Sequence, residues 1–192
     1  VKMSRTKDED DTVMQEIAEC NAYAPDLAVD IHNNSGGGDG FEVFHTIHGG
    51  MGKTLARNIE KHVKAIGQNS RGVKTRQGNN GDYYAFIRET VAPAVICEGV
   101  FVDTKADAAQ ADTLAEQQAF GVAYAKGILD TLGLAYDEPE EEPDDAFETD
   151  EEVQAAIDKV QQKAGLAAET MQYLLAYEYG TELVIKLANA MK

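Results

Sequence analysis

Pro93-Ala94-Val95-Ile96-Cys97-Glu98-Gly99-Val100-Phe101 is an apolar run broken by one carboxylate, with a glycine directly after it. The run is too short for a helix of its own. Val95 and Ile96 are β-branched and Pro93 punctuates the start, so the segment reads as a buried strand. An acid is rarely placed in such a strand without a partner or a task. Glu98 falls near the end of the strand, where an open α/β sheet carries its chemistry. The partners of Glu98 therefore decide what the chain does.

Working outward, strand and helix patterns alternate. Thr12 caps a helix expected to run to about Tyr23, and Pro25-Asp26 stops it. Leu27 to His32 reads as a strand that ends in a histidine, followed by a loop of Asn33, Asn34, Ser35 and three glycines. Phe41 to His45 alternates as a half-buried strand does. Gly49 to Gly52 is a loop, and Leu55 to Ile66 is an amphipathic helix. Short strands are expected around Val73 and over Tyr84 to Arg88, and a long helix over Lys105 to Leu132. Val1 to Arg5 reads as the tail of an earlier strand. This order gives an α/β domain with a largely parallel sheet over residues 1–136.

From Asp137 the composition shifts to Asp and Glu with Pro139 and Pro143, a self-repelling linker over residues 137–149. Thr149 and Glu152 form a capping-box pattern. Short helices are expected over about 151–164, 168–177 and 181–191, broken at Gly165 and Gly180. Together they make a small helical domain, 150–192, close in size to the roughly 40-residue floor for independent folding.

Of the 192 residues, 34 are acidic and 17 basic, for a formal charge of −17. That balance excludes a nucleic-acid backbone or an anionic lipid surface as the main partner. No apolar run has the length of a membrane span and no signal peptide is visible. Cys20 and Cys97 lack metal-type spacing, and Cys97 reads as a core residue.

Two motifs offer chemistry. His48-Gly49-Gly50-Met51-Gly52-Lys53-Thr54 ends like a phosphate-binding loop between a strand and a helix, but Ile47 stands where such a loop needs its first glycine. The other pairs His32 with Glu98, each at the end of an expected strand and so at one edge of the sheet. A histidine there is a candidate metal ligand, although one imidazole is far short of a site.

Asp30-Ile31-His32-Asn33-Asn34 resembles the Ser-Ile-His-x-Asn segment of the zinc-dependent N-acetylmuramoyl-L-alanine amidases of the amidase-3 family. Gly40 to Phe44 is similar to a Gly-Phe-Glu-Val-Phe segment that follows it. Pro93 to Phe101 resembles a Pro-Ala-x-Leu-x-Glu-x-Gly-Phe block, Asp107 an acid downstream of that block, and Ser4-Arg5 a Thr-Arg pair closing an early strand. The likeness runs in order from about Val1 to Leu134. Asp30 stands where serine is common, and Gly99-Val100-Phe101 is shifted from the usual Gly-Phe.

The resemblance implies a three-layer αβα fold and hydrolysis of the amide between the lactyl group of N-acetylmuramic acid and L-alanine of the peptidoglycan stem peptide. It implies Zn2+ as cofactor, with His32 as one of three protein ligands. Glu98 is implied as the general base, taking a proton from the attacking water and delivering one to the leaving amine. Asn34 is implied to orient substrate. The family's other two ligands, on an earlier strand and helix, have no counterpart after Val1. Glu42, His45 and His48 are not expected to replace them, since His45 and His48 do not share a face. Arg76 and Arg88 are expected in surface salt bridges. Peptidoglycan is the implied partner, at the cell wall, reached by secretion or phage release, with the C-terminal helices self-associating or binding the wall. Two other readings stay open: a non-catalytic interaction module, and a nucleotide hydrolase with Lys53-Thr54 on phosphate and Glu98 near its metal.

Overall fold

The computed structural model describes residues 1–4, 11–137, 150–175 and 180–191. The chain divides into two compact units, Val1–Tyr136 and Asp137–Lys192.

The first unit begins with α1 (Val13–Tyr23), which Thr12 caps by accepting the Gln15 amide while Gln15 Oε1 accepts the Thr12 amide at 2.9 Å. There follow β1 (Ala28–Asn34), β2 (Phe41–His45), α2 (Gly50–Ala65), β3 (Ser70–Lys74), the short β4 (Gln77–Gly78) and β5 (Gly81–Asp82), α3 (Ala85–Glu89), β6 (Ala94–Phe101), α4 (Lys105–Ala108) and α5 (Leu114–Leu132). The main sheet has the order β1-β6-β2-β3. β1 and β6 are parallel, as are β2 and β3, whereas β2 and β6 run antiparallel. The sheet is thus mostly parallel with one antiparallel seam.

The pleat of the strands sorts the core. Phe41 and Val43 on β2 and Val95 and Cys97 on β6 are fully buried beneath Leu55, Ile59 and Val63 of α2 and Phe120 and Tyr124 of α5. Alternate residues face the other way, and Ala28, Ala94 and Ile96 pack under Ile17 of α1 and Phe86 and Ile87 of α3. The sheet therefore lies between two helical layers. The helices α2 and α5 approach closely at Gly127, where a Cβ would sit 2.6 Å from the Ile59 Cα. Any larger residue there would push them apart.

Three expectations are corrected. Tyr84 to Arg88 is not a strand: Ala85–Glu89 is helical, with adjacent Phe86 and Ile87 both buried. A strand would send those neighbours to opposite faces; packing against α1 decides a run too short for periodicity to settle. The long helix over Lys105 to Leu132 is interrupted, because Thr113 restarts it. Thr113 Oγ1 accepts the Glu116 amide at 3.3 Å and Glu116 Oε2 accepts the Thr113 amide at 2.9 Å. Residues 1–4 carry no strand, and Arg5 lies outside the described residues.

The second unit contains α6 (Asp150–Ala164), α7 (Ala168–Leu175) and α8 (Gly180–Ala190) around Ala156, Val160, Met171, Val184 and Ala188. Gly165 follows α6 with a φ of 65°, a conformation that costs glycine least. Thr149 and the acidic stretch 138–149 lie outside the described residues.

Two buried acids hold the loops and edges of the first unit. Asp107 is 1% exposed. Its Oδ2 accepts the Gly40 and Phe101 amides at 2.9 and 2.7 Å, and its Oδ1 accepts Gln68 Nε2 at 2.7 Å. It thereby ties the entry of β2 to the end of β6. Asp107→Ala leaves those buried donors unpaired and should destabilise the chain by about 3 kcal/mol or more in urea unfolding. A loss under about 1 kcal/mol would contradict this role.

Glu42 is 6% exposed, yet its carboxyl lies below the usual range. Burial alone would raise it, but Lys74 and Arg71 on β3 overcome that effect by donating to Oε2. A depressed carboxyl stabilises the fold above its unfolded value of about 4.5, and loses that contribution as pH falls through the lower folded value. Glu42→Gln should cost about 1–2 kcal/mol at neutral pH, since both cations are partly solvated. The difference from the parent chain should hold down to about pH 5 and close in more acidic solution. Denaturation curves that diverge with acid would contradict it.

Candidate functional site

The register of β6 brings three ionisable side chains into one row. His32 on β1 lies opposite Glu98, and Glu98 lies opposite Glu42 on β2. All three stand on the face shared with Ala94 and Ile96. Gly99 follows Glu98 because its backbone runs close to neighbours: a Cβ there would meet Asn33 Oδ1 at 2.9 Å and Tyr124 Oη at 3.3 Å. Asp30, His32 and Glu98 open on a cavity of about 190 Å³ whose other walls include Val13, Tyr84, Phe86 and Ile96.

Those apolar walls act on Glu98. Its Oε2 is buried without a hydrogen-bond partner. Burial raises its carboxyl above the ordinary range, the nearby His32 opposes that, and Glu42 and Asp30 reinforce it. His32 is raised as well, first by its hydrogen bond with Asp30, with burial opposing and the Asp30 and Glu98 charges adding to it. The contact runs from His32 Nε2 to Asp30 Oδ1 at 3.0 Å. Asp30 is the residue that takes serine's place in the Ser-Ile-His-x-Asn pattern, so the sequence held the signal without revealing its target.

Glu42 and Glu98 are neighbours across the β2–β6 seam with opposite environments. Glu42 receives two cations and the Asn34 amide, whose Nδ2 donates to Oε1 at 2.5 Å. Asn34 Oδ1 in turn accepts the Ser35 amide at 2.8 Å, so both ends of this side chain are engaged within the protein. Sequence reading missed Lys74 and Arg71 because β3 reaches Glu42 only through the folded sheet.

The remaining candidates lie elsewhere. His45 pairs with Val95, at the opposite end of β6 from Phe101. It is buried, and His48 is exposed in the loop after it. Lys53 follows on α2 at that same end: a Cβ on Gly52 would lie 3.4 Å from Ala94 O. The antiparallel seam therefore separates Lys53-Thr54 from Glu98, and the reading that joined them in one nucleotide site is corrected. Arg76 stacks 3.7 Å above the Tyr83 ring, while Arg88 pairs with Glu89 at 2.8 Å and donates to Asp82 O at 2.7 Å. Cys97 is a buried free thiol held far above its ordinary range, chiefly by burial.

Whether these residues suit a metal follows from the donor set. A catalytic zinc takes three converging protein ligands and keeps one position open. Among the described residues no group of three His, Cys, Asp or Glu side chains is placed to hold a metal ion. His32 Nε2 is engaged by Asp30, and Glu42 is engaged by Lys74, Arg71 and Asn34. The described residues do not complete a zinc site by themselves. No helix among them is long and apolar enough to cross a membrane.

Comparison with known proteins places this geometry. Residues 1–130 match the Amidase_3 family, described as N-acetylmuramoyl-L-alanine amidase. The chain is 32% identical over 139 residues to the N-acetylmuramoyl-L-alanine amidase CwlM of Bacillus licheniformis, covering 70% of this chain and 52% of that protein. It is 31% identical over 144 residues to the endolysin of Bacillus phage SPP1, covering 70% of this chain and 50% of that protein. The chain thus spans about half the length of the curated relatives it matches. Among solved structures, Cwp6 from Clostridium difficile superposes with a TM-score of 0.66 at 32% identity, over 68% of this chain and 22% of that one. The catalytic domain of the amidase CwlV from Bacillus (Paenibacillus) polymyxa gives 0.59 at 26% identity, over 68% of this chain and 71% of that one. With the matched residues spanning the whole sheet and its flanking helices, the chain belongs to the Amidase_3 family of N-acetylmuramoyl-L-alanine amidases.

Proposed function

We propose that this chain acts on peptidoglycan at the cell wall, on the amide between the lactyl group of N-acetylmuramic acid and L-alanine of the stem peptide. The observation that carries this reading is the contrast between two adjacent carboxylates. Glu42 is saturated by cations, whereas Glu98 is desolvated and has an orphaned oxygen in a cavity. Paired acids whose environments push them apart mark a division of labour. Glu98 is the proton carrier: as carboxylate it takes a proton from an attacking water, and as acid it hands one to the departing amine of L-alanine. A raised carboxyl is better matched to both transfers near neutral pH.

His32 is the metal-facing residue of this proposal, one ligand of the three that a catalytic zinc takes. Its Asp30 contact must loosen for Nε2 to bind a metal, and the raised imidazole adds proton competition. Asn34, anchored on Glu42, is the substrate-orienting residue of this proposal. The helical unit α6–α8 serves wall binding or self-association.

The incomplete donor set also favours a second reading, in which the chain binds peptidoglycan without cutting it. A sacculus assay separates the two. Purified chain with excess zinc should release new L-alanine amino termini slowly, and Glu98→Gln should lower that rate by about a hundredfold or more while leaving sedimentation with sacculi intact. An unchanged rate in Glu98→Gln would remove Glu98 from the reaction. Co-sedimentation with no release from the parent chain would favour the binding reading.

The metal content of the purified chain is a separate test. After dialysis at neutral pH it should retain far less than one zinc per chain. Tight stoichiometric zinc by elemental analysis would contradict the incompleteness of the site.

A further inference from the structure

A second cavity of the first unit lies away from Glu98, around the glycine loop that the amidase reading leaves unused. It measures about 530 Å³ and is lined by His45, His48, Lys53, Arg57 and Thr75 among others. That volume is within the range of small-ligand sites. No carboxylate lines it, in a chain where acids outnumber bases 34 to 17. Lys53, Arg57 and His48 have no ion-pair partner among the described residues. Lys61, Arg71, Lys74 and Arg88 of this unit pair with acids, whereas Lys64, Arg76 and Lys105 share with Lys53 and Arg57 the lack of such a pair among the described residues.

The backbone adds donors. The helix α2 begins at Gly50 after Gly49, whose φ of 78° and that of Gly50, 66°, lie in the region that favours glycine. No side chain caps the helix, and its first turn holds no acid. Its leading N–H groups therefore have neither intrahelical nor side-chain acceptors. Lys53 near this end adds positive charge where the helix dipole disfavours it, an arrangement that a bound anion relieves.

His45 adds a buried imidazole to the lining. It is 5% exposed and lines the cavity. Its Nδ1 donates to Thr46 O at 2.7 Å, and Nε2, which has no partner among the described residues, can donate to an anion only when the ring is protonated. Burial holds the imidazole below its ordinary range; the Thr46 hydrogen bond and Asp82 oppose this, and Lys53 and Arg57 add to it. Asp82 Oδ2 accepts Thr46 Oγ1 and its Oδ1 accepts the Ile47 amide, both at 2.7 Å.

We propose that the cavity formed by His45, His48, Lys53, Arg57 and the start of α2 binds a phosphate group, free or esterified. A tetrahedral dianion has enough acceptor oxygens for several converging cations and N–H groups, which a carboxylate does not. The site is distinct from that of Glu98 and independent of the amidase reading.

The test is a phosphate titration of the full 192-residue chain by amide and imidazole NMR, at constant ionic strength set with chloride. Inorganic phosphate should move the Gly50 to Lys53 amides and the His45 ring saturably. The double variant Lys53→Ala/Arg57→Ala should weaken that binding by about tenfold or more. Both residues are exposed, and alanine favours helix, so the variant should fold. Glycerol phosphate is the second probe: binding at the same resonances identifies an esterified ligand, and response to inorganic phosphate alone identifies the free ion. Shifts that chloride reproduces, or binding that the double variant keeps in full, would overturn the proposal.

Discussion

The strand β6 runs between β1 and β2, and its pleat sends Val95 and Cys97 into the core beneath α2 and α5 while Ala94, Ile96 and Glu98 face the other way. Everything at the site depends on that register. A slip of one residue would bury Glu98 under α2 and turn Cys97 toward the cavity. Burial of Val95 and Cys97 on one side and of Ala94 and Ile96 on the other opposes such a slip. Asp107 adds a lock by binding the Phe101 amide at the end of the strand.

From this register follows an electrostatic division. Neighbouring acids on one sheet face repel, and the fold resolves this by treating them differently. Lys74 and Arg71 reach Glu42 from β3, and Asn34 reaches it from β1. Glu98 has the nearby imidazole in its favour, and the Glu42 and Asp30 charges and the apolar walls of its cavity against its ionisation. One carboxylate is thus kept ionised as a structural anchor, and the other is kept responsive to protons. The antiparallel seam has a further effect: it sends the loop after β2, with Lys53, away from Glu98, so two chemically different cavities coexist in one small unit.

Much of this was legible in the sequence. The apolar run ending in Glu98 specified a buried strand, and Leu27 to His32 a second one ending at the same sheet edge, but the register between them is seen only in the folded sheet. The helices of the second unit followed from apolar spacing and the Gly165 break. Other features were hidden for physical reasons. Phe86 and Ile87 form too short a run for periodicity, so packing against α1 decided their conformation. Thr113 and Glu116 carried a readable helix-start signal inside a stretch whose spacing otherwise looked continuous. The hold of Asp30 on His32, and of Lys74 and Arg71 on Glu42, arises from strand geometry, the last two across about 30 intervening residues. Sequence spacing contains no such information.

The central claim is that Glu98 is a desolvated, proton-responsive carboxyl beside His32. Carboxyl 13C NMR of Glu98 through a pH titration tests it most directly. The account predicts a midpoint above 4.5, moving higher in His32→Ala because the imidazole opposes the rise. A midpoint at or below 4.5, unmoved by removal of His32, would contradict it.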